Sequence, residues 1–329
     1  MRLSSGEDDR HMTSHPRVVS LFSGAGGLDL GFKLAGFDLV WANDFDKDAV
    51  ETYRANIDKH CVCADISEVS TDDIPDCDVM IGGFPCQGFS MANTKRNVLD
   101  KRNTLYLQYI RVLKAKKPKF FVAENVKGIL TLGKGEVIKA IVSDFAEVGY
   151  KVVYRLLNAA DYGVPQTRQR VIIVGVRNDL DVEFSYPKPT NSKNGENGLP
   201  RWVSVREAID GLPDPDGPDA DTVPNNEYSQ YKVKPRNYTG HRVTDPDKPS
   251  PTILARGNGG GGVVAIPHYN GLRRMTVRES ATVQTFPIDF VFHGTRGSCY
   301  RQIGNAVPVL LARQIAFQIM RSYTVSVSV

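Results

Sequence analysis

No stretch of the 329-residue sequence is apolar for long enough to cross a bilayer, which argues against a membrane protein. The amino-terminal MRLSSGEDDRHMTSH also lacks the apolar centre of a secretory signal, so residues 1–15 are expected to be a disordered leader and the protein cytoplasmic. Cysteine is scarce. Cys61, Cys63, Cys77, Cys86 and Cys299 make an odd count, which argues for reduced thiols rather than a disulfide framework. Cys61-x-Cys63 has no partner ligands at zinc spacing, and no metal is expected. Neither sign of charge dominates: 41 Lys and Arg against 37 Asp and Glu leave a net charge of +4, which permits a nucleic-acid partner without demanding one. Internal repeats are lacking too.

What is present is an alternation. Short apolar runs at 18–22, 37–41, 79–81, 120–122 and 171–176 read as strands, and amphipathic stretches at 28–34, 46–56, 104–114 and 136–148 read as helices. That order implies an α/β fold, a mostly parallel sheet with helices on both faces. After residue 177 the texture changes to Pro, Gly, Asn and Asp, and helical patterning resumes at 276–284 and 308–320. The expected organisation is a main domain at 16–177, a smaller inserted lobe at 178–275 and a segment at 276–329 that returns to the main domain. The closing TVSVSV alternates like a strand or ends as a frayed tail.

Phe22-Ser23-Gly24-Ala25-Gly26-Gly27 falls where a strand ends and a helix begins, so its glycines can bring backbone N–H groups close to a ligand. A tight turn without a ligand explains the run equally well until Asp44 is considered. It follows Gly24 by about 20 residues, the offset of a ribose-binding carboxylate. Asp65, at the end of a further strand-like segment, can accept an adenine amino proton, and Phe45 can stack on the ring. The glycine spacing is not that of a dinucleotide site, so an adenosine cofactor without a diphosphate fits best.

Cys86 sits in Gly82-Gly83-Phe84-Pro85-Cys86-Gln87-Gly88-Phe89-Ser90, just beyond a strand's carboxyl end, where open α/β sheets bind ligands. The other four cysteines read as inert. Glu124 ends the strand at 120–122, and the stretch between it and Cys86 has room for one loop, one crossover helix and one strand, so both reach the same sheet edge. In Gln166-Thr167-Arg168-Gln169-Arg170, strand alternation points Arg168 and Arg170 to one side.

These residues resemble the DNA (cytosine-5)-methyltransferases, in particular the short bacterial restriction-modification type. FSGAGG, PCQGFS, ENVKG, QTRQR, RESATVQTFP and GNAVP occur in that family's order along nearly the whole chain. The resemblance implies a Rossmann-like S-adenosylmethionine-dependent methyltransferase fold with a target-recognition lobe, and methyl transfer to C5 of a cytosine flipped out of duplex DNA. Cys86 would attack C6, Glu124 would stabilise N3, and Arg170, assisted by Arg168, would hold O2 and orient Glu124. Phe22, Gly24, Ala25, Gly27, Asp44, Phe45, Asp65, Ile66, Pro85, Leu105, Asn305 and Val307 would hold S-adenosylmethionine, released as S-adenosylhomocysteine.

Gln87, Ser90, Lys95, Arg96, Arg236, Arg242, Thr252 and Arg256 are the expected DNA contacts, with double-stranded DNA as partner. The acidic 210–221 would point away from it. A monomer is expected, and a cognate restriction endonuclease is an open possibility as partner. The tRNA-methylating branch of the family and a catalytically dead DNA-binding homologue are the rival readings. The first usually carries a Cys-Phe-Thr signature absent here, and the second would be expected to have lost the nucleophile or the Gly-rich turn.

Overall fold

A computed structural model describes residues 15–84, 104–233, 243–255 and 266–327. The apolar runs become β1 (Arg17–Leu21), β2 (Asp38–Asp44), β3 (Cys61–Cys63), β4 (Val79–Gly82), β5 (Phe120–Val126), β6 (Tyr150–Asn158) and β7 (Gln169–Arg177). They form one seven-stranded sheet in the order β3-β2-β1-β4-β5-β7-β6. The run from β3 to β5 is parallel, whereas β7 is antiparallel to both β5 and β6. Parallel neighbours need crossovers. Helices α1 (Gly27–Leu34), α2 (Lys47–Asn56) and α3 (Thr104–Lys116) make three of them, and α4 (Glu136–Glu147) leads into β6.

Because successive strand residues face opposite sides, the sheet feeds two apolar layers. Val18, Val79, Ile81, Phe120, Val122 and Val174 pack with α1, α2 and the last helix, α8 (Val309–Val327). Val19, Leu21, Met80, Phe121, Ala123 and Ile173 pack with α3 and α4. Gly31 lets α1 and α8 meet closely: a Cβ there would lie 2.3 Å from Ala312 Cβ and 2.7 Å from Arg313 N. Beyond β7, the described part of 178–275 holds a single short α-helix, α5 (Val205–Ile209), with 3-10 turns and isolated bridges. Val205, Ile209, Ile253, Ile266 and Met275 join the α1–α8 layer rather than a separate core. Then come α6 (Val277–Val283), started by a Thr276–Glu279 capping box, and α7 (Arg296–Asn305), capped by Thr295.

Several expectations need correcting. β6 escaped the pattern because it is an edge strand, paired only with β7, and mixes charged with apolar residues. Helix α7 escaped because RGSCYRQIGN has no apolar stripe. TVSVSV is neither strand nor tail through Val327: α8 carries on, with Thr324 Oγ1 and Ser326 Oγ donating to the carbonyls of Met320 and Tyr323. The stretch Arg296–Val327, which spans α7 and α8, is long and apolar enough to cross a membrane, but 56% of its apolar window is buried within the protein, as in a core helix.

Asp29, on α1, is fully buried. Its Oδ1 accepts from the Tyr53 hydroxyl at 3.1 Å, Tyr53 also contacts His60 Nε2 at 3.2 Å, and Asp29 Oδ2 has no hydrogen-bond partner. Burial pushes its carboxyl up from 3.8 to about 7, so the folded state takes up a proton that the unfolded chain has released. The stability this contributes is complete below pH 3.8 and lost as pH rises through about 7. Asp29→Asn should therefore flatten the pH dependence of the urea midpoint between pH 4 and 8, gaining on the wild type by on the order of 3–4 kcal/mol across that window. Parallel profiles for the two proteins would refute this account.

Candidate active site

The site is built where β1, β2, β4 and β5 end at the same sheet edge. Phe22, directly after β1, takes a left-handed φ of 55°, and Gly24 and Gly26 follow at 55° and 87°. Left-handed backbone costs a bulky residue about 1–2 kcal/mol, so Phe22 is held by its surroundings. The turn is tied to β2: Ser23 N donates to Asn43 O at 3.0 Å and Gly24 N to Asp44 Oδ2 at 2.8 Å, while Asp46 N donates to Asp44 Oδ1 at 2.9 Å. Burial raises the Asp44 pKa, and these N–H donors oppose the rise.

Phe22, Asn43, Phe45, Ala64, Asp65, Ile66 and Leu105 line a cavity of about 190 Å³. Phe45 leaves 73% of its surface open there, which a planar ring could cover. Asp65 Oδ1 accepts from Ser67 N and Oγ at 2.9 and 2.7 Å, which holds its carboxyl below its usual range and keeps it an anionic acceptor. Five residues expected around the cofactor thus converge. Asn43 and Ala64 were missed. Asn43 is a buried amide at an inward register of β2, and its Nδ2 donates to Val62 O and Ala64 O, fixing the exit of β3.

On the other side of the turn, a Cβ on Gly27 would lie 2.4 Å from Val307 O and 3.1 Å from Ala306 Cβ, so residues 306 and 307 rest against the Gly-rich turn. That brings Val307, buried, and Asn305, exposed at the end of α7, to the same edge; Ala25 is buried within the turn.

Glu124, in β5, and Arg170, in β7, form an ion pair of 2.7 Å between Oε1 and Nε, each side chain 12% exposed. Arg170 Nη1 also donates to Gln169 O at 2.8 Å. A Cβ on Gly83 would lie 3.0 Å from Glu124 Oε2, so the exit of β4 passes directly over this carboxylate. Asn125 Nδ2 donates to Phe84 O at 3.0 Å, pinning the residue from which the chain continues towards Pro85 and Cys86. Arg168 and Arg170, expected on one side of the strand, end on different partners. Arg168 is fully buried, with Nη1 donating to Ile253 O at 2.9 Å and Nη2 to Gly304 O at 2.7 Å. Its link to Glu124 is electrostatic and carried through structure, with no exposed surface for a base. Burial, and then Arg170, lower its pKa well below the usual arginine value.

Of the expected DNA contacts, Thr252 is described: its Oγ1 donates to Thr167 O at 2.8 Å. Pro85, Cys86, Gln87, Ser90, Lys95, Arg96, Arg236, Arg242 and Arg256 lie outside the described residues. In the acidic stretch, Asp210 accepts from Tyr269 and Asp216 from Tyr228, so part of its charge is engaged within the chain. Among the described residues no cluster of three or more His, Cys, Asp or Glu is placed to hold a metal ion.

Residues 16–321 match the profile of the C-5 cytosine-specific DNA methylase family. The Type II methyltransferase M.NgoFVII of Neisseria gonorrhoeae is 42% identical, covering 90% of this chain and 84% of that protein. The Type II methyltransferase M.FnuDI of Fusobacterium nucleatum is 39% identical, covering 94% and 95%. Among solved structures, a candidate DNA modification methyltransferase encoded within an E. coli prophage matches with a TM-score of 0.71 at 27% identity, covering 94% of this chain and 99% of that one. A match that runs from the first strand into the last helix makes this chain a member of the C-5 cytosine-specific DNA methylase family, a DNA cytosine-5 methyltransferase.

Proposed function

We propose that the chain transfers the methyl group of S-adenosylmethionine to C5 of a cytosine rotated out of a specific duplex DNA sequence, with Cys86 as a transient covalent nucleophile. The observation that carries the reading is the Glu124–Arg170 pair, set at the same sheet edge as the cavity and one strand from the segment leading to Cys86. S-Adenosylmethionine, when bound, supplies a methyl group activated by its sulfonium. Asp44 would accept from ribose hydroxyls, Phe45 would stack on adenine, and Asp65 would accept from the adenine amine, with Ile66 and Leu105 as walls. The glycines and Ala25 admit the close approach that larger side chains would block, with Phe22, Pro85, Asn305 and Val307 completing the pocket.

In the reaction, the Cys86 thiolate forms a bond to C6 of the cytosine, and C5 becomes nucleophilic as charge moves into the ring. Glu124 would hold N3 through a proton shared between its carboxyl and that nitrogen, and Arg170 would donate to O2, so each places a hydrogen bond where that charge develops. After methylation C5 loses its proton to a base, the sulfur–C6 bond breaks, and Cys86 is regenerated. Rotating the base out of its stack costs a few kcal/mol, which contacts to phosphates must offset. That task falls to Lys95 and Arg96 beyond the nucleophile, and to Arg236, Arg242, Thr252 and Arg256 in the lobe at 178–275. Gln87 and Ser90 would add further contacts to the DNA. The Type II relatives extend the reading to a modification enzyme paired with a restriction endonuclease.

Incubation with S-adenosylmethionine and duplex DNA carrying 5-fluorocytosine should leave a covalent adduct, seen by mass spectrometry in the wild type and absent in Cys86→Ala. Transfer to tRNA without an adduct on DNA would move the assignment to the tRNA-methylating branch. Phe45→Ala should raise KM for S-adenosylmethionine about fivefold, equivalent to about 1 kcal/mol of lost stacking, with kcat little changed. Initial-rate kinetics at saturating DNA check this, and an unchanged KM would remove Phe45 from the cofactor site.

A further inference from the structure

Three fully buried polar side chains outside the cavity form one continuous network. Gln166 Oε1 accepts from Ile253 N at 2.9 Å, and Gln166 Nε2 donates to Gln284 Oε1 at 2.9 Å. Gln284 Nε2 in turn donates to Ile303 O at 2.7 Å and Ala306 O at 3.2 Å. Arg168 closes the circuit by donating to Ile253 O and Gly304 O. Both backbone polar groups of Ile253 are thus held by side chains of the QTRQR segment. The two backbones they join lie against each other, for a Cβ on Gly304 would be 2.4 Å from Leu254 O.

Each end of this network reaches a different part of the proposed chemistry. Residues 303–306 lead to Val307, whose carbonyl lies against Gly27 of the Gly-rich turn. Ile253 follows Thr252, which is bonded to Thr167 O beside Arg168. Arg170, two residues further along, pairs with Glu124. Buried amides have few alternative partners, so a shift at one end must be accommodated along the chain of bonds or leave a polar group unpaired.

We propose that Gln284 and Gln166 are positioning residues that couple the cofactor site to the DNA-facing segment 250–255. Gln284 seats residues 303–307 against the Gly-rich turn through the Ile303 and Ala306 carbonyls, Gln166 fixes the Ile253 amide, and the amide–amide bond joins the two. The proposal rests on the cofactor reading above.

Hydrogen exchange of the wild-type protein without DNA tests it. Adding S-adenosylhomocysteine should slow exchange of the Ile253 amide at least about fivefold, although Ile253 does not line the cavity. Calorimetric binding of S-adenosylhomocysteine with protection confined to cavity-lining residues would overturn the coupling alone. Absence of calorimetric binding would overturn the cofactor reading, and the coupling with it.

Gln284→Met and Gln166→Met keep the side-chain length and remove the bond from either side. Each should raise KM for S-adenosylmethionine about tenfold and KM for duplex DNA severalfold, with kcat within about threefold. The double variant should cost less than the sum of the two single ones, since both lose the Gln166–Gln284 bond and each loses its own backbone partners besides. A fall in kcat with both KM values unchanged would mean a merely smaller folded fraction and would refute the proposal. If neither variant folds, the exchange result in the wild type decides.

Discussion

Glu124 and Arg170 meet because β7 runs against β5. In the parallel half of the sheet every strand delivers its carboxyl end to one edge, so only residues at strand ends can gather there. Arg170 stands at the start of its strand, and a parallel β7 would have carried it to the opposite edge. The observed register places Arg170 opposite Val126 and Ile172 opposite Glu124, so the beginning of β7 lies beside the end of β5. The reversal of one strand therefore supplies a cation to an edge otherwise built from turns and acids. β6, antiparallel again, covers the far side of β7.

The same arm of chain before β7 also ties Ile253 and residues 303–306 to the sheet through buried polar contacts, which add to the apolar ones. A buried guanidinium costs several kcal/mol of lost hydration unless its protons are taken up. Among the described residues Arg168 has no acid within ion-pair distance, and two main-chain carbonyls accept from its Nη atoms while Nε finds no partner there. Carbonyls fixed on segments 85 and 136 residues away make a geometrically specific junction. An apolar contact could slide by an ångström at little cost, whereas this one cannot. The inward packing of Val205, Ile253 and Met275 then makes the inserted stretch an extension of the main core.

Much of this was legible in the residues, and what was not has physical reasons. β1, β2, β4, β5 and β7 are apolar because they are buried on both faces, so a plain hydrophobic run revealed them. Asp44, Phe45 and Asp65 follow from strand ends alone, since a parallel sheet sends such positions to one edge. Asn43 went unnoticed and Gln284 was read only as part of RESATVQTFP, because a buried amide looks like a surface amide until its long-range partners are known. Gln166 and Arg168 were noticed as a motif, yet their partners lie 85 or more residues away in sequence. Asp29 is a similar case: an acid two residues into a helix suits the helix dipole, and only the packing of α1 shows that it has lost its solvent.

The charges around Glu124 favour the proposed chemistry in a way that no single residue does. One carboxylate faces two guanidiniums: Arg170 in contact, and Arg168 behind it, where the field of Glu124 partly offsets the burial of that cation. Two guanidiniums against one carboxylate give the group a formal excess of positive charge. Attack by a thiolate on cytosine sends negative charge towards N3 and O2, the atoms assigned to Glu124 and Arg170. A neutral or acidic surrounding would resist that movement, whereas a cationic one, fixed before the base arrives, lowers its cost without reorganising. In the proposed reaction Arg168 would contribute to this field from a position where substrate cannot displace it, because its Nη atoms donate to the carbonyls of Ile253 and Gly304.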